Sequence, residues 1–101
     1  MFKAMIMLTR RDDLTHEQFA HWWLQEHAPM ARELPDVRRI VFNLVEQTPD
    51  APCDGITELW FDSREDFDAA YATEIGKNVA ADSLAHLTSR VRLFVDEQSV
   101  A

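Results

Sequence analysis

The stretch from Thr15 to Pro35, THEQFAHWWLQEHAPMARELP, constrains the fold more than any other part of this sequence. Thr15 and Gln18 match the capping-box pattern, in which a threonine hydroxyl and a glutamine side chain satisfy free backbone N–H groups at a helix start. At about 100° per residue, four large apolar side chains fall on one face of the helix. They are Phe19, Trp22, Trp23 and Met30. The stretch therefore predicts an amphipathic helix that packs against an apolar wall.

The same stretch predicts a bend near its end. Pro29 has no backbone N–H, so the carbonyl of Gln25 loses its helical partner. Ala28 precedes the proline and is pushed away from helical geometry. Glu26 falls in the middle of the apolar face, and His27 falls on its flank. A histidine, a carboxylate and a bent backbone are thus expected against the apolar wall.

The remaining periodic runs predict four strands and a second helix. The predicted strands are Phe2–Leu8, Val37–Glu46, Ile56–Asp62 and Ser89–Asp96. The predicted helices are Thr15–Leu34 and Arg64 to about Glu74, the latter ended by Gly76, with a short helical turn at Asn78–Leu87 and a tail of five residues. Short connections and right-handed crossovers turn this βαββαβ order into a ferredoxin-like α+β sandwich, one domain over residues 1–101. Two helices then cover one face of a four-stranded antiparallel sheet.

The first predicted strand is apolar on both of its faces. Its two faces carry Phe2, Ala4, Ile6 and Leu8 on one side and Met5 and Met7 on the other. A strand of this kind needs cover on both sides. A chain of 101 residues also buries only a modest core. We therefore expect a second copy of the chain to cover the face that the helices leave open, giving a homodimer.

Charge and cysteine content exclude several classes of protein. The net charge of −8 argues against nucleic acid and anionic membrane as partners, since a phosphate footprint needs a basic patch. The single cysteine, Cys53, rules out an internal disulfide and fits a reducing compartment. The apolar start MFKAMIML is too short for a membrane span and lacks the features of a secretion signal. We therefore expect the protein in the cytoplasm.

Several motifs together resemble the EthD family of dimeric α+β barrel proteins. The resemblance rests on LTRRDDLTHEQFAHWWLQEHAPMARELPDVRRIVFN, on the pair Asp54-Gly55, on ELWF at Glu58–Phe61 and on the SREDF start of the second helix. Where the family usually has glycine after Leu-Pro, this chain has Asp36. The resemblance implies a homodimer whose two sheets pack into a barrel. Members and close relatives include a cofactor-free methylmuconolactone isomerase and fungal enzymes that dehydrate or decarboxylate aromatic polyketides, and the histidine matching His27 is implicated in the isomerase-like sites.

His27 is the candidate catalytic residue. An imidazole titrates near neutral pH and can serve as a general acid or base. We expect it to point into a pocket between the first helix and the sheet, where burial disfavours its charged form and a carboxylate, Glu58 or Asp54, favours it. The alternative is a structural histidine that caps the bent helix. Glu26 is interpreted as structural, because Pro29 disturbs the helical phase.

Five further residues are predicted to contact a substrate: Trp23, Asn43, Asp54, Glu58 and Trp60. Asn43 is the lone polar residue of an apolar strand and could donate a hydrogen bond to a carbonyl oxygen. Glu58 could hold a histidine or pair with an arginine such as Arg39 or Arg92. An aromatic stripe is more often plain core than a binding surface.

No metal or cofactor is expected. His16, His21 and His27 are spaced by five and six residues, so they do not share one helical face as zinc ligands would. A chain with two glycines offers no Gly-rich phosphate loop. Cys53 lies in a proline-containing loop with nothing nearby to activate it, and we interpret it as inert.

These features favour a cofactor-free lyase or isomerase that acts on a small aromatic, polyketide-like or lactone metabolite. Two alternatives stay open at this point. One is a cofactor-free oxygenase of the dimeric α+β barrel type, and the other is a non-catalytic binding protein of a degradation or biosynthetic pathway. An enzyme needs at least one positioned acid or base, whereas a carrier needs none.

Overall fold

The computed structural model describes all 101 residues and confirms the ferredoxin-like α+β fold. The strands are β1 (Phe2–Arg10), β2 (Arg39–Leu44), β3 (Gly55–Phe61) and β4 (Leu87–Val95). The helices are α1 (His16–His21), a π-helical segment (Trp22–His27), α2 (Ala28–Ala31), α3 (Arg64–Ala72) and α4 (Glu74–His86). The sheet order is β2-β3-β1-β4, and every neighbouring pair is antiparallel. None of the helices combines the length and hydrophobicity needed to cross a membrane.

The core lies between the sheet and the helices. Even-numbered residues of β1 point to this side, and Ala4 pairs with Leu59 on β3 and Phe94 on β4. The buried core includes Ala4, Ile6, Leu8, Phe19, Trp22, Trp23, Leu59, Phe61, Phe67 and Val79. The apolar face predicted for the first helix therefore meets the predicted face of β1, as the alternation of both elements indicates.

The opposite side of the sheet, here called the open face, has no covering layer within the chain. It carries Lys3, Met5, Met7, Val41, Asn43, Ile56, Glu58, Trp60, Val91 and Leu93. Val91 and Leu93 are 46% and 48% exposed. Near one end of this face, Lys3 pairs with Glu58 at 2.9 Å and with Glu97 at 3.1 Å. Such a surface on a small chain indicates a contact site.

The first helix begins as predicted and continues where a break was expected. The Thr15 hydroxyl accepts the Gln18 N–H, and the Gln18 side chain accepts the Thr15 N–H. The predicted break before Pro29 was wrong, because Ala28 keeps helical angles of φ −56° and ψ −43°. The π-helical segment widens the turn before the proline, and the Ala28 N–H reaches the carbonyl of Trp23, five residues back.

The predicted role of Gly76 was also wrong. Gly76 does not end a helix but lies inside α4, which runs over the residues expected to form a short turn. Thr73 separates α3 from α4, and its hydroxyl both donates to the Ala70 carbonyl and accepts the Gly76 N–H. A Cβ at Gly76 would overlap the backbone of Ala70 and Tyr71. Glycine is needed here because two helices approach closely at their junction.

Candidate active site

His27 ends the π-helical segment and is buried between that segment, α4 and the sheet. Its Nδ1 lies 2.8 Å from Oδ2 of Asp82, and its Nε2 lies 3.3 Å from Oγ of Ser83. Both partners come from α4, more than fifty residues further along the chain. The carboxylate beside His27 is therefore Asp82, and the predicted partners Glu58 and Asp54 were wrong.

Asp82 is held in place by further contacts. The Trp22 indole N–H donates to Oδ2 of Asp82 at 3.1 Å, and the Trp22 ring stacks on His86 at 4.3 Å. A carboxylate can only accept hydrogen bonds, so Nδ1 of His27 carries the proton in the neutral ring. The lone pair on Nε2 then faces Ser83. A carboxylate that fixes the tautomer of a histidine is a recurring device in general-base catalysis.

Burial lowers the pKa of His27 below its ordinary value. The hydrogen bond and negative charge of Asp82 act in the opposite direction, and the charge of Arg90 adds to the lowering. The sequence left open whether burial or a carboxylate would dominate, and burial dominates. Near neutral pH the ring is therefore neutral, with a basic nitrogen available.

His27 lines a small cavity between the helices and the sheet. Its polar lining comes from His27, Thr57, Tyr71, Ser83 and Arg90, and the rest is apolar. The cavity volume is about 20 Å³, enough for about one water molecule. An aromatic ligand can reach Nε2 only if the lining side chains move. Burial also raises the pKa of Tyr71, so its hydroxyl stays protonated and can donate.

Asp54 belongs to a different cluster, at the end of β1. Its carboxylate accepts the Arg10 backbone N–H at 2.9 Å, the Arg10 guanidinium at 2.7 Å and the His16 ring at 2.8 Å. Burial alone would raise the pKa of Asp54, but these donors together lower it. Asp54 thus ties its loop to the start of the first helix and does not line the cavity at His27.

Three other residues that were predicted to contact a substrate lie on the side of the sheet opposite His27. Asn43, Glu58 and Trp60 all belong to the open face. Asn43 donates to Glu58 at 3.0 Å, and this bond together with that of Lys3 lowers the pKa of Glu58. The single sheet layer separates these residues from the cavity, so they do not line the same cavity as His27.

Trp23 is part of the core. It is fully buried and stacks on Phe42 with ring centroids 4.4 Å apart and an angle of 3° between the planes. A Cβ at Gly55 would lie 2.6 Å from the Trp23 ring, so glycine is needed for this approach. Trp23 does not line the cavity. Glu26 is exposed, so the expectation that this carboxylate lies against the apolar wall was wrong.

Sequence reasoning missed Asp82, Ser83, Tyr71 and Arg90. One signal was present for Ser83, which continues the buried stripe of Gly76 and Val79 at helical spacing. A lone hydroxyl on such a stripe indicates a buried partner. Nothing in the sequence paired α4 with His27. No group of three or more His, Cys, Asp or Glu side chains is arranged to hold a metal ion.

Comparison with known proteins gives one family and one fold. The model of the EthD domain matches residues 11–90. An uncharacterised 11.0 kDa protein from the thcB-thcC intergenic region of Rhodococcus erythropolis is 27% identical over 85 residues, which cover 81% of this chain and 82% of that protein.

Solved structures share the fold at lower identity. An ethyl tert-butyl ether d (ethd) family protein from Bacillus halodurans has a TM-score of 0.83 at 20% identity, covering 97% of this chain and 100% of that one. A dimeric ferredoxin-like protein of unknown function from Bacteroides fragilis has a TM-score of 0.73 at 14% identity, with 95% of both chains covered. An antibiotic biosynthesis monooxygenase has a TM-score of 0.68 at 14% identity, covering 98% and 100%.

Proposed function

Because this chain belongs to the EthD family, we propose that it is a cofactor-free enzyme, a lyase or isomerase, in which neutral His27 acts as general base on a small lactone or aromatic metabolite. The observation that carries the proposal is the contact of Nδ1 with Asp82, which leaves Nε2 as the basic atom beside the cavity. Apolar walls around a single oriented imidazole are the arrangement that proton abstraction requires.

The residues around His27 support a proton transfer from carbon. Nε2 accepts a proton from a carbon next to a carbonyl group, either directly or through the Ser83 hydroxyl. Asp82 then stabilises the imidazolium that forms. Tyr71 can donate a hydrogen bond to the oxygen where negative charge develops, because its hydroxyl stays protonated. The abstracted proton can return to another carbon, which is an isomerisation, or assist the loss of a leaving group.

Deuterium exchange tests the proposal without knowledge of the natural substrate. The protein is incubated in D₂O with butenolides and aryl ketones, and loss of the proton next to the carbonyl is followed by NMR. We expect exchange above the rate in buffer, with no consumption of oxygen. Oxygen consumption would favour the oxygenase alternative, and a stable adduct on Ser83 would indicate a nucleophile instead. Tight binding with no exchange would favour a carrier.

The rate of exchange should depend on pH in a defined direction. The base works only when neutral, and the pKa of His27 lies below the ordinary value of about 6.5. We expect kcat/KM to be level near neutral pH and to fall as the pH drops through this lowered pKa. The pH profile of kcat/KM measures the midpoint in the free enzyme. A midpoint above 6.5 would contradict His27 as the base.

We also propose that the chain forms a homodimer through the open face, as the Bacteroides fragilis protein is dimeric. Sedimentation at micromolar concentration should give a dimer for the wild type. Leu93→Glu, on this face, should shift the protein to monomer, because it places charge on an apolar surface. The matched control is Ile75→Glu, a residue of similar exposure on the helical side. A wild-type monomer, or equal effects of the two variants, would contradict the dimer.

A further inference from the structure

Arg90 and Arg92 lie side by side on the inner face of β4, the face that the helices cover. Arg90 pairs with Leu8 and Arg92 pairs with Ile6, two buried core residues. Neither arginine forms an ion pair, although the chain carries 18 acidic and 10 basic residues. By contrast, Arg10 and Arg38 bind carboxylates at 2.7 Å.

The two arginines differ in how their charge is accommodated. The Arg92 guanidinium packs over the rings of Phe94 and Phe67 at 4.9 and 5.5 Å, which stabilises a cation. The Arg90 side chain has no such ring, no hydrogen-bond partner and no ion pair, and it is half-buried. Its guanidinium still reaches water, because the only fully buried side-chain polar atom without a partner is the indole nitrogen of Trp23. Arg90 is therefore an unpaired, accessible cation that can bind an anion.

Arg90 also connects two spaces. It lines the cavity that contains His27 and Ser83, and it lines a surface groove of about 340 Å³ with Leu84 and Arg92. The positive charges of both arginines act on the hydroxyl of Tyr71, which lines the same cavity. Arg90 thus separates an outer cationic groove from the inner basic histidine.

We propose that this groove binds the carboxylate of a small organic anion, with Arg90 as the principal contact and Arg92 as the second. A guanidinium matches the two oxygens of a carboxylate in geometry and charge. A ligand anchored there draws Arg90 outward and extends its uncharged part towards His27. This inference rests on the proposed function for the identity of the site, and it narrows the substrate class to carboxylates.

Binding of benzoate and benzamide tests the inference, because the two probes share a ring and differ in charge. Isothermal titration of the wild type should show benzoate binding at least tenfold more tightly than benzamide. Arg90→Gln should weaken benzoate at least tenfold, and Arg90→Lys should restore part of the loss. Arg32→Gln is the matched control, since Arg32 also lines a surface groove without a carboxylate partner but does not line the cavity at His27.

Four results would overturn the proposal. Three are equal affinity for benzoate and benzamide, wild-type affinity in Arg90→Gln, and no benzoate binding at millimolar concentration. The fourth is an equal loss in Arg32→Gln, which would show that surface arginines in general, not this groove, attract the anion. Benzoate binding should survive His27→Gln. Anion binding without deuterium exchange would therefore support the carboxylate site and contradict His27 as a general base.

Discussion

His27→Gln is expected to slow deuterium exchange by about 10²–10⁴-fold, the usual contribution of a general base. Glutamine keeps a polar group that can donate to Asp82, so that carboxylate is not left unpaired. It has no nitrogen that accepts a proton near neutral pH. The loss should therefore appear in the chemical step, with little change in KM or in the free energy of unfolding.

His21→Gln is the matched control, because His21 lies on the exposed side of the same helical stretch. This variant should catalyse deuterium exchange at the wild-type rate. Asp82→Asn should give an exchange rate between those of His21→Gln and His27→Gln. It should also shift the pH profile, since the amide no longer fixes the Nδ1–H tautomer. Equal rates for wild type and His27→Gln would remove His27 from the chemistry and leave it as a structural histidine.

Gly76→Ala is expected to lower the free energy of unfolding by about 3 kcal/mol, the upper part of the usual range for overpacking. Helix propensity alone predicts a gain of about 1 kcal/mol for this change. The clash should dominate, because the new Cβ meets backbone atoms of Ala70 and Tyr71, which cannot rotate away. Denaturant unfolding measures the loss, and a fall in Tm of roughly 10–20 °C should accompany it.

Asn78→Ala is the control that measures helix propensity on α4 without a packing clash. Asn78 is exposed on α4, so this change should stabilise the fold by a few tenths of a kcal/mol, about the propensity difference. If Gly76→Ala also proved stabilising, the close approach of α3 and α4 would be contradicted.

The fold could be predicted because alternation in the strands and capping in the first helix are local signals. Both ends of β2 and the start of β4 differ from the predicted limits by two residues, and the end of β4 differs by one, as strand limits often do. Asp36 keeps the backbone conformation that explains the usual glycine of the family at this position. Its φ of 62° is a conformation that glycine adopts most easily.

The site could be predicted only in part, for two physical reasons. A π-helical turn adds a residue without changing composition, so periodicity at 100° per residue placed Glu26 on the buried face, whereas Glu26 is exposed. Gly76 has the same identity whether it ends a helix or allows close packing. A short turn at Asn78–Leu87, as predicted, does not indicate that Asp82 and Ser83 contact His27. The partners of a buried histidine depend on tertiary packing, which no local pattern encodes.

The sheet divides two tasks between alternate residues of the same strand. On β1, Ile6 and Leu8 line the cavity at His27, while Met5 and Met7 belong to the open face. A substitution at an even position of β1 therefore alters the side of the sheet that faces His27, and one at an odd position alters the open face. We therefore expect single substitutions on β1 to change the proposed ligand binding and the proposed self-association separately.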